Sequence, residues 1–180
     1  AAHKIIENYI IDAVQNHDGI VQEPGQINAT DDKIQNCVSA ALKWMYEHNV
    51  VWQKTETIIY SKEYNYAGTM DGLALVDGIQ SVVDWKSSNY LFCDYCYQVA
   101  AYQNAYEEEH GIEIKDRWIL RLGKETSEFE PWRLTPDCFH DDFRGFTDCL
   151  RLSEIHKKVE ARMKAIKPKK SRKTKVKANE

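Results

Sequence analysis

The chain has 180 residues, of which 43% are hydrophobic, and its formal net charge is −4. That length fits one domain of ordinary size with a sizeable core. No apolar run approaches the ~20 residues needed to span a bilayer, and the N-terminus lacks the basic-then-apolar pattern of a signal peptide. Five cysteines without framework spacing argue against an oxidising compartment. We therefore expect an intracellular protein that folds alone and has no membrane partner.

The hydrophobic pattern predicts nine elements. Helical periodicity indicates four helices, at 3–16, 31–48, 94–110 and 136–165. Runs rich in β-branched and aliphatic residues indicate five strands, at 50–61, 65–76, 79–86, 117–122 and 128–134. Thr30 or Asp31 is expected to cap the second helix, and Gly111 to end the third. The order α-α-β-β-β-α-β-β-α predicts an α/β fold, with a mixed central sheet flanked by helices.

The second and third strands are expected to form a tight hairpin. Asp77-Gly78 between them is the dipeptide that best accepts the positive φ values of a two-residue type I′ turn. Val76 then pairs with Ile79, and counting outward along both strands places Asp71 directly opposite Asp84. A longer loop would shift this register and turn Asp71 to the other face.

Two carboxylates that face each other across a ladder repel unless a cation lies between them or one takes up a proton. Val82, Val83 and Trp85 surround Asp84 with apolar side chains, so this carboxylate needs a partner. Lys86 lies two residues further along the strand and projects from the same face. The pattern predicts a divalent metal at the two aspartates, with the lysine directed at the phosphate that the metal holds.

Three motifs occur in order along the chain: Gly68-x-x-Asp71, Asp84-x-Lys86 and Gln98-x-x-x-Tyr102. Together with His3 on the first helix, they resemble the PD-(D/E)xK nuclease superfamily. The similarity is to the branch that contains RecB-type nuclease domains and phage recombination exonucleases. Two departures are the absence of a proline before Asp71 and the presence of Asp, in place of Glu, at position 84. The resemblance implies a restriction-endonuclease-like sheet.

The resemblance also implies a role for each motif residue. Asp71 and Asp84 would be metal ligands, together with the backbone carbonyl of Trp85 and the side chain of His3. Lys86 would orient or deprotonate the attacking water and stabilise charge on the phosphate. Gln98 and Tyr102 would position the DNA strand and the lysine. Oxygen ligands favour Mg²⁺ or Mn²⁺ over zinc.

Other candidates near these motifs are weaker. Glu56 lies on the strand expected to neighbour the hairpin, where it is either a further metal ligand or an exposed strand residue. Glu7 shares a helix face with His3, and we interpret it as structural. Tyr106 follows Gln98 and Tyr102 at helical spacing, and we expect it to pack in the core.

Cys93-x-x-Cys96 is the closest cysteine pair. Relatives in this branch can hold an iron–sulfur cluster, with one cysteine near the start of the domain and three near its end. The cysteines here do not fall in that pattern. We therefore expect reduced, half-buried thiols and no cluster.

Charge is distributed unevenly along the chain. Residues 164–180 hold eight Lys or Arg and one Glu, which leaves residues 1–163 with a net charge of −11. We interpret 1–165 as the nuclease domain and 166–180 as a disordered basic tail, which either holds DNA phosphates or serves as a solubilising terminus. Four basic residues on the later strands either line a DNA groove or are solvated surface charges: Arg117, Arg121, Lys124 and Arg133.

The sequence as a whole predicts a Mg²⁺- or Mn²⁺-dependent deoxyribonuclease. By the resemblance, it would be an exonuclease that resects linear DNA ends in recombination or repair, encoded by a phage or prophage and acting in the bacterial cytoplasm. A single-strand annealing protein is an expected partner, and a homo-oligomer is compatible with the pattern. The alternatives are the nuclease domain of a larger helicase–nuclease, and a nucleic-acid-binding or assembly module that keeps the fold without turnover.

Overall fold

A computed structural model describes residues 1–23, 27, 29 and 31–166. It contains the nine expected elements in the expected order. The helices are α1 (Ala2–Asn16), α2 (Asp32–Glu47), α3 (Cys93–His110) and α4 (Phe139–Ile166). The strands are β1 (Val51–Ser61), β2 (Tyr66–Val76), β3 (Ile79–Lys86), β4 (Asp116–Leu122) and β5 (Phe129–Leu134). The predicted α/β fold is thereby confirmed.

The element ends follow the sequence signals closely. Asp31 caps α2, because its carboxylate accepts hydrogen bonds from the backbone amides of Lys33 and Ile34. Thr30, the other predicted cap, lies outside the described residues. Gly111 ends α3 with φ at 65°, the left-handed conformation that glycine adopts at least cost. At the last helix the structure differs slightly, since a 3₁₀ turn at Pro136–Cys138 precedes α4.

The sheet has the order β1-β2-β3-β4-β5. Only β3 and β4 pair in parallel, because α3 returns the chain between them, so the sheet is mixed as expected. Asp77 and Gly78 have φ of 49° and 80°, as a type I′ turn requires. The ladder from Val76–Ile79 to Gly72–Val83 has the predicted register. One step beyond that ladder, Asp71 comes next to Asp84.

Helices cover both faces of the sheet. On one face, α1 and α2 pack over four buried tryptophans whose neighbouring ring centroids are 5.5–5.7 Å apart: Trp44, Trp52, Trp85 and Trp118. On the other face α3 packs over Val82 and Ile119. Because side chains alternate along a strand, Trp85 points to the tryptophan layer, whereas Asp84 and Lys86 point to α3.

In β2, next to Asp71, successive side chains do not alternate regularly between the two faces of the sheet. Met70 and Leu73 both pack in the α3-side core, although they are three residues apart. Gly72 faces the other layer, where a Cβ atom would lie 2.4 Å from the ring of Trp52. Glu56, opposite Asp71 on β1, has a φ of 46°. The regular strand is therefore distorted at this candidate ligand.

The chain divides into two compact units, Ala1–Thr147 and Asp148–Glu180. In the second unit the described residues, 148–166, are the C-terminal part of α4, and every side chain from 151 onwards is exposed. The assignment of 1–165 to one nuclease domain stays a prediction, and 167–180 of the predicted tail lie outside the described residues. None of the helices in the described part of the chain is long and apolar enough to cross a membrane.

Candidate active site

Lys86, at the end of β3, is the centre of a polar cluster that faces α3. Its Nζ lies 2.6 Å from Asp84 Oδ2 and donates a hydrogen bond of 2.8 Å to Gln98 Oε1. The Gln98 amide in turn donates to the hydroxyl of Tyr102, at 2.6 Å. The ammonium also lies 4.5 Å from the ring centroid of Tyr95, within cation–π distance. Strand and helix thus bring together four residues that the sequence grouped into two separate motifs.

Asp84 is a buried carboxylate, and one of its two oxygens lacks a hydrogen bond. Its side chain is 1% exposed. Burial, reinforced by the nearby Asp71, raises the pKa of Asp84 to about 7, although Lys86 acts in the opposite direction. Oδ2 has the lysine at ion-pair distance but no hydrogen bond of acceptable geometry. This oxygen can therefore accept a further cation.

Asp71 is fixed across the strand pair by the backbone. Its Oδ2 accepts a hydrogen bond of 2.9 Å from the backbone amide of Trp85. Thr55 donates to its main-chain carbonyl, also at 2.9 Å. These contacts hold the second carboxylate beside the first, as the predicted register requires.

Two further candidate ligands come from α1 and β1. Burial lowers the pKa of the His3 imidazole, and the charges of Asp71 and Lys86 act on it in opposite directions, so His3 lies within their electrostatic reach. Glu56 is exposed, and its pKa is raised by partial burial and by the carboxylates of Asp71 and Glu7. His3 and Glu56 therefore lie within electrostatic reach of Asp71. Their roles as ligands stay predictions.

Glu7 has a different partner from the one that the helix spacing suggests. Its carboxylate forms an ion pair with Lys4 at 2.6 Å, three residues earlier on α1. This contact fits the structural role expected for Glu7. Glu7 also raises the pKa of Glu56, so the two carboxylates lie within electrostatic reach of each other.

The donor chemistry at this site suits a hard divalent cation. Asp71 and Asp84 supply carboxylate oxygens, and the second of these has an oxygen without a hydrogen bond. Among the described residues, no three His, Cys, Asp or Glu side chains are close enough to enclose a metal ion. In this arrangement the Lys86 ammonium is the cation that meets Asp84 Oδ2.

Gly68 belongs to the first motif for a steric reason. A Cβ atom at this position would lie 3.0 Å from Cε1 of Tyr102, so the tyrosine ring packs directly over the glycine backbone. Burial raises the pKa of Tyr102 to about 12, and Asp84 acts in the same direction, so its hydroxyl stays protonated. Tyr106, one turn further along α3, is buried in the core, as expected.

Both alternatives predicted for Arg117, a DNA groove and a solvated surface charge, are wrong. This side chain is 1% exposed and pairs with Asp142 at 3.1 Å, because its strand faces the start of α4. Arg121 pairs with Glu130 at 2.6 Å, and both side chains are partly exposed. The exposed Arg133 pairs with the buried Asp116 at 2.7 Å. Lys124 instead lines a shallow groove next to Ser87.

The cysteine prediction is only partly right. All five are free thiols, of which Cys37 is buried and Cys96 and Cys138 are half-buried. Cys93, the first residue of α3, and Cys149, on α4, are exposed.

Tyr95 is a site residue that the sequence reasoning did not identify. It lies three residues before Gln98 on α3, so helical spacing puts both side chains on one face. The signal was present in the sequence, as an aromatic residue one turn before a motif glutamine. It was not recognised because aromatic residues at helical spacing usually belong to a core.

No family model and no curated protein matches the chain. Among solved structures, a similar chain is the "Putative exonuclease" from Eubacterium rectale, with a TM-score of 0.48 and 12% sequence identity. The match covers 84% of this chain and 65% of the other, so this chain spans about two thirds of that protein. At this level of similarity, function is inferred from the residues of the site.

Proposed function

We propose that this chain is a Mg²⁺- or Mn²⁺-dependent deoxyribonuclease of the PD-(D/E)xK type. One observation carries the proposal. The Lys86 ammonium lies between the buried carboxylate of Asp84 and the amide of Gln98, with Asp71 held beside them. A purely structural ion pair has no need of the second carboxylate, and a solvated surface would not bury Asp84.

The proposed chemistry is hydrolysis of a DNA phosphodiester bond. A bound divalent ion would lower the pKa of an attacking water and neutralise phosphate charge. Asp71 and Asp84 would hold that ion, with the Trp85 carbonyl and His3 as further donors and Glu56 at the edge. Lys86 would stabilise the charge that develops on the phosphate and would orient or deprotonate the attacking water. Gln98 and Tyr102 keep the lysine directed at that position.

We further propose that the substrate is linear DNA, cleaved from its ends. This part of the proposal follows the sequence resemblance to recombination exonucleases. Incubation of matched linear and covalently closed circular DNA with Mg²⁺ tests it directly. Cleavage of linear DNA alone would support an exonuclease, and equal cleavage of both forms would show an endonuclease.

The metal requirement is tested with purified protein and linear DNA. We expect cleavage with Mg²⁺ or Mn²⁺ and none after chelation, because the carboxylates alone cannot activate water. Asp71→Asn should abolish cleavage and weaken Mn²⁺ binding in calorimetry. Asp12→Asn, an exposed acid on α1, is the matched control and should behave as the parent. Undiminished cleavage in EDTA would refute the proposed function.

A further inference from the structure

The loop that follows Lys86 exposes two aromatic side chains, two residues apart in the sequence. Tyr90 is 71% exposed and Phe92 is 51% exposed. Leu91 between them packs against the α3-side core, so the residues on either side of it face outward. The Ser88 hydroxyl donates a hydrogen bond of 2.6 Å to the Tyr90 carbonyl, which restrains the loop backbone. Both rings are therefore open to solvent in the same loop.

These rings are continuous with the candidate active site. The Phe92 ring packs edge-on against Tyr95, with centroids 5.7 Å apart, and Tyr95 lies 4.5 Å from the Lys86 ammonium. Tyr90 is four residues from Lys86, which limits their separation to about 14 Å of extended chain. A nucleotide strand with a phosphate at Lys86 would carry its neighbouring bases to this loop.

The charge of the loop also suits a polyanion. Residues 87–92 contain no carboxylate, although residues 1–163 carry a net charge of −11. At the start of the loop, Ser87 lines a groove with Lys33 and Lys124. Lys33 pairs with Glu125 at 2.8 Å, whereas Lys124 has no ion-pair partner among the described residues. Phosphates that approach the start of the loop would meet Lys124 beside the Lys33–Glu125 pair.

We propose that Tyr90 and Phe92 form a stacking platform for unpaired DNA bases, and that the enzyme engages a single-stranded end. This inference rests on the proposed function. Aromatic rings stack on every base, because each base has a π-face, so the platform binds without sequence preference. Paired bases inside a duplex cannot offer their faces in this way. The platform therefore favours single strands and frayed ends over blunt duplex.

Binding is measured in the Lys86→Ala background, so that cleavage does not interfere. The probes are an oligodeoxynucleotide that carries 2-aminopurine, and a blunt duplex of the same sequence. Stacking should quench the 2-aminopurine fluorescence on binding. Adding Tyr90→Leu and Phe92→Leu should remove the quenching and weaken single-strand binding by about tenfold or more, with a much smaller change for the duplex. Tyr90→Leu alone should give an intermediate effect.

Tyr60→Leu is the matched control. Tyr60 is 42% exposed and lies in a surface pocket with Glu108, at the opposite end of α3 from Phe92. This variant should keep the quenching and the affinity. The salt dependence of binding should also stay the same in the double leucine variant, because stacking contacts no phosphate. A flatter salt dependence would show that phosphate contacts were lost, and would overturn the platform.

The outcomes separate this inference from the proposed function. If the parent cleaves DNA but the double leucine variant binds single strands as tightly as its Lys86→Ala background does, the platform is refuted and the nuclease stands. If the parent cleaves nothing but the leucine variant loses quenching and affinity, the platform stands and the nuclease is refuted. Equal losses for single strand and blunt duplex would refute the preference for unpaired bases.

Discussion

Two cations on neighbouring parallel strands, the partly buried Lys86 and the fully buried Arg117, have nearly the same surroundings. Lys86 on β3 contacts Gln98 of α3 at 2.8 Å, and Arg117 on β4 contacts Gln103 of the same helix at 3.3 Å. Each also has an aspartate within ion-pair distance and an aromatic ring within cation–π distance. The same kinds of contact therefore occur twice on one side of the sheet.

The two sites differ in access and in charge. Arg117 is 1% exposed and is neutralised by Asp142 from the start of α4, so it fastens that helix segment to the sheet. Lys86 is 15% exposed, and the backbone amide of the preceding residue, Trp85, holds a second carboxylate, Asp71. An arginine stays protonated in proteins, whereas a lysine can exchange its proton. Lys86 and Arg117 thus make similar contacts. What distinguishes the proposed reactive cation from the structural one is its solvent exposure and the additional carboxylate nearby.

The largest difference between the Arg117 and Lys86 sites should appear in the stability of the protein when each cation is removed. Arg117→Ala removes one partner of a buried pair, and we expect the free energy of unfolding to fall by about 3–5 kcal/mol. Arg121→Ala is the control, because the Arg121–Glu130 pair is partly exposed, and should cost about 1 kcal/mol or less. Urea unfolding of both variants measures the difference. Equal losses would mean that Arg117 does not hold α4 in place.

The second difference between the two sites should appear in the rate of DNA cleavage. We expect Lys86→Ala to lower the cleavage rate by about 10² or more while the affinity for Mn²⁺ changes little, because both carboxylates remain. Its stability loss should be smaller than that of Arg117→Ala, since Asp84, with a pKa of about 7, can take up a proton when the lysine is absent. Cleavage assays, calorimetry and urea unfolding test this. A variant that cleaves as fast as the parent would contradict the assigned mechanism.

The Lys86 site should also make the stability of the metal-free protein depend on pH, through Asp84. The pKa of Asp84 is raised to about 7 from an ordinary value of 3.8, so the folded state binds the proton more tightly than the unfolded chain does. Stability should therefore fall as the pH rises from about 4 to 7, by at most roughly 1.4 kcal/mol per pH unit. Asp84→Asn should lose this slope. Unfolding in EDTA across that range checks it, and parallel curves for both proteins would contradict it.

The smallest effect, on DNA binding, should come from the Lys and Arg side chains of residues 167–180, which lie outside the described residues. Removing residues 167–180 should weaken DNA binding at moderate salt and flatten its salt dependence, because tail contacts would be with phosphates. The melting temperature should not change. Identical salt slopes for the full-length and shortened chains would show that the tail does not contact DNA.

Local sequence signals predicted most of the architecture. The turn dipeptide Asp77-Gly78 determined the hairpin register, and hence the proximity of Asp71 and Asp84, because few other residues accept two successive positive φ values. The alternation of side chains then placed Lys86 on the face covered by α3. These features depend on a handful of neighbouring residues, so a single sequence is enough to specify them.

Other features depend on long-range packing and could not be read from the sequence. Nothing near Arg117 in sequence indicates Asp142, which lies 25 residues away. The left-handed φ of Glu56 is unexpected for a strand residue without a glycine or asparagine signal. Tyr90 and Phe92 read as ordinary loop aromatics until the fold shows both side chains exposed and Phe92 packed on Tyr95.

The packing of Trp85 against other indoles has a practical consequence. Its backbone amide donates a hydrogen bond to Asp71 Oδ2. Its ring centroid lies 5.6 Å from that of Trp44 and 5.7 Å from that of Trp52. Indoles this close exchange excitation energy, so a change at one alters the emission of the group. The strand that carries Asp84 and Lys86 therefore contains an intrinsic optical reporter, and ions or nucleotides that shift this strand would be detected without any added label.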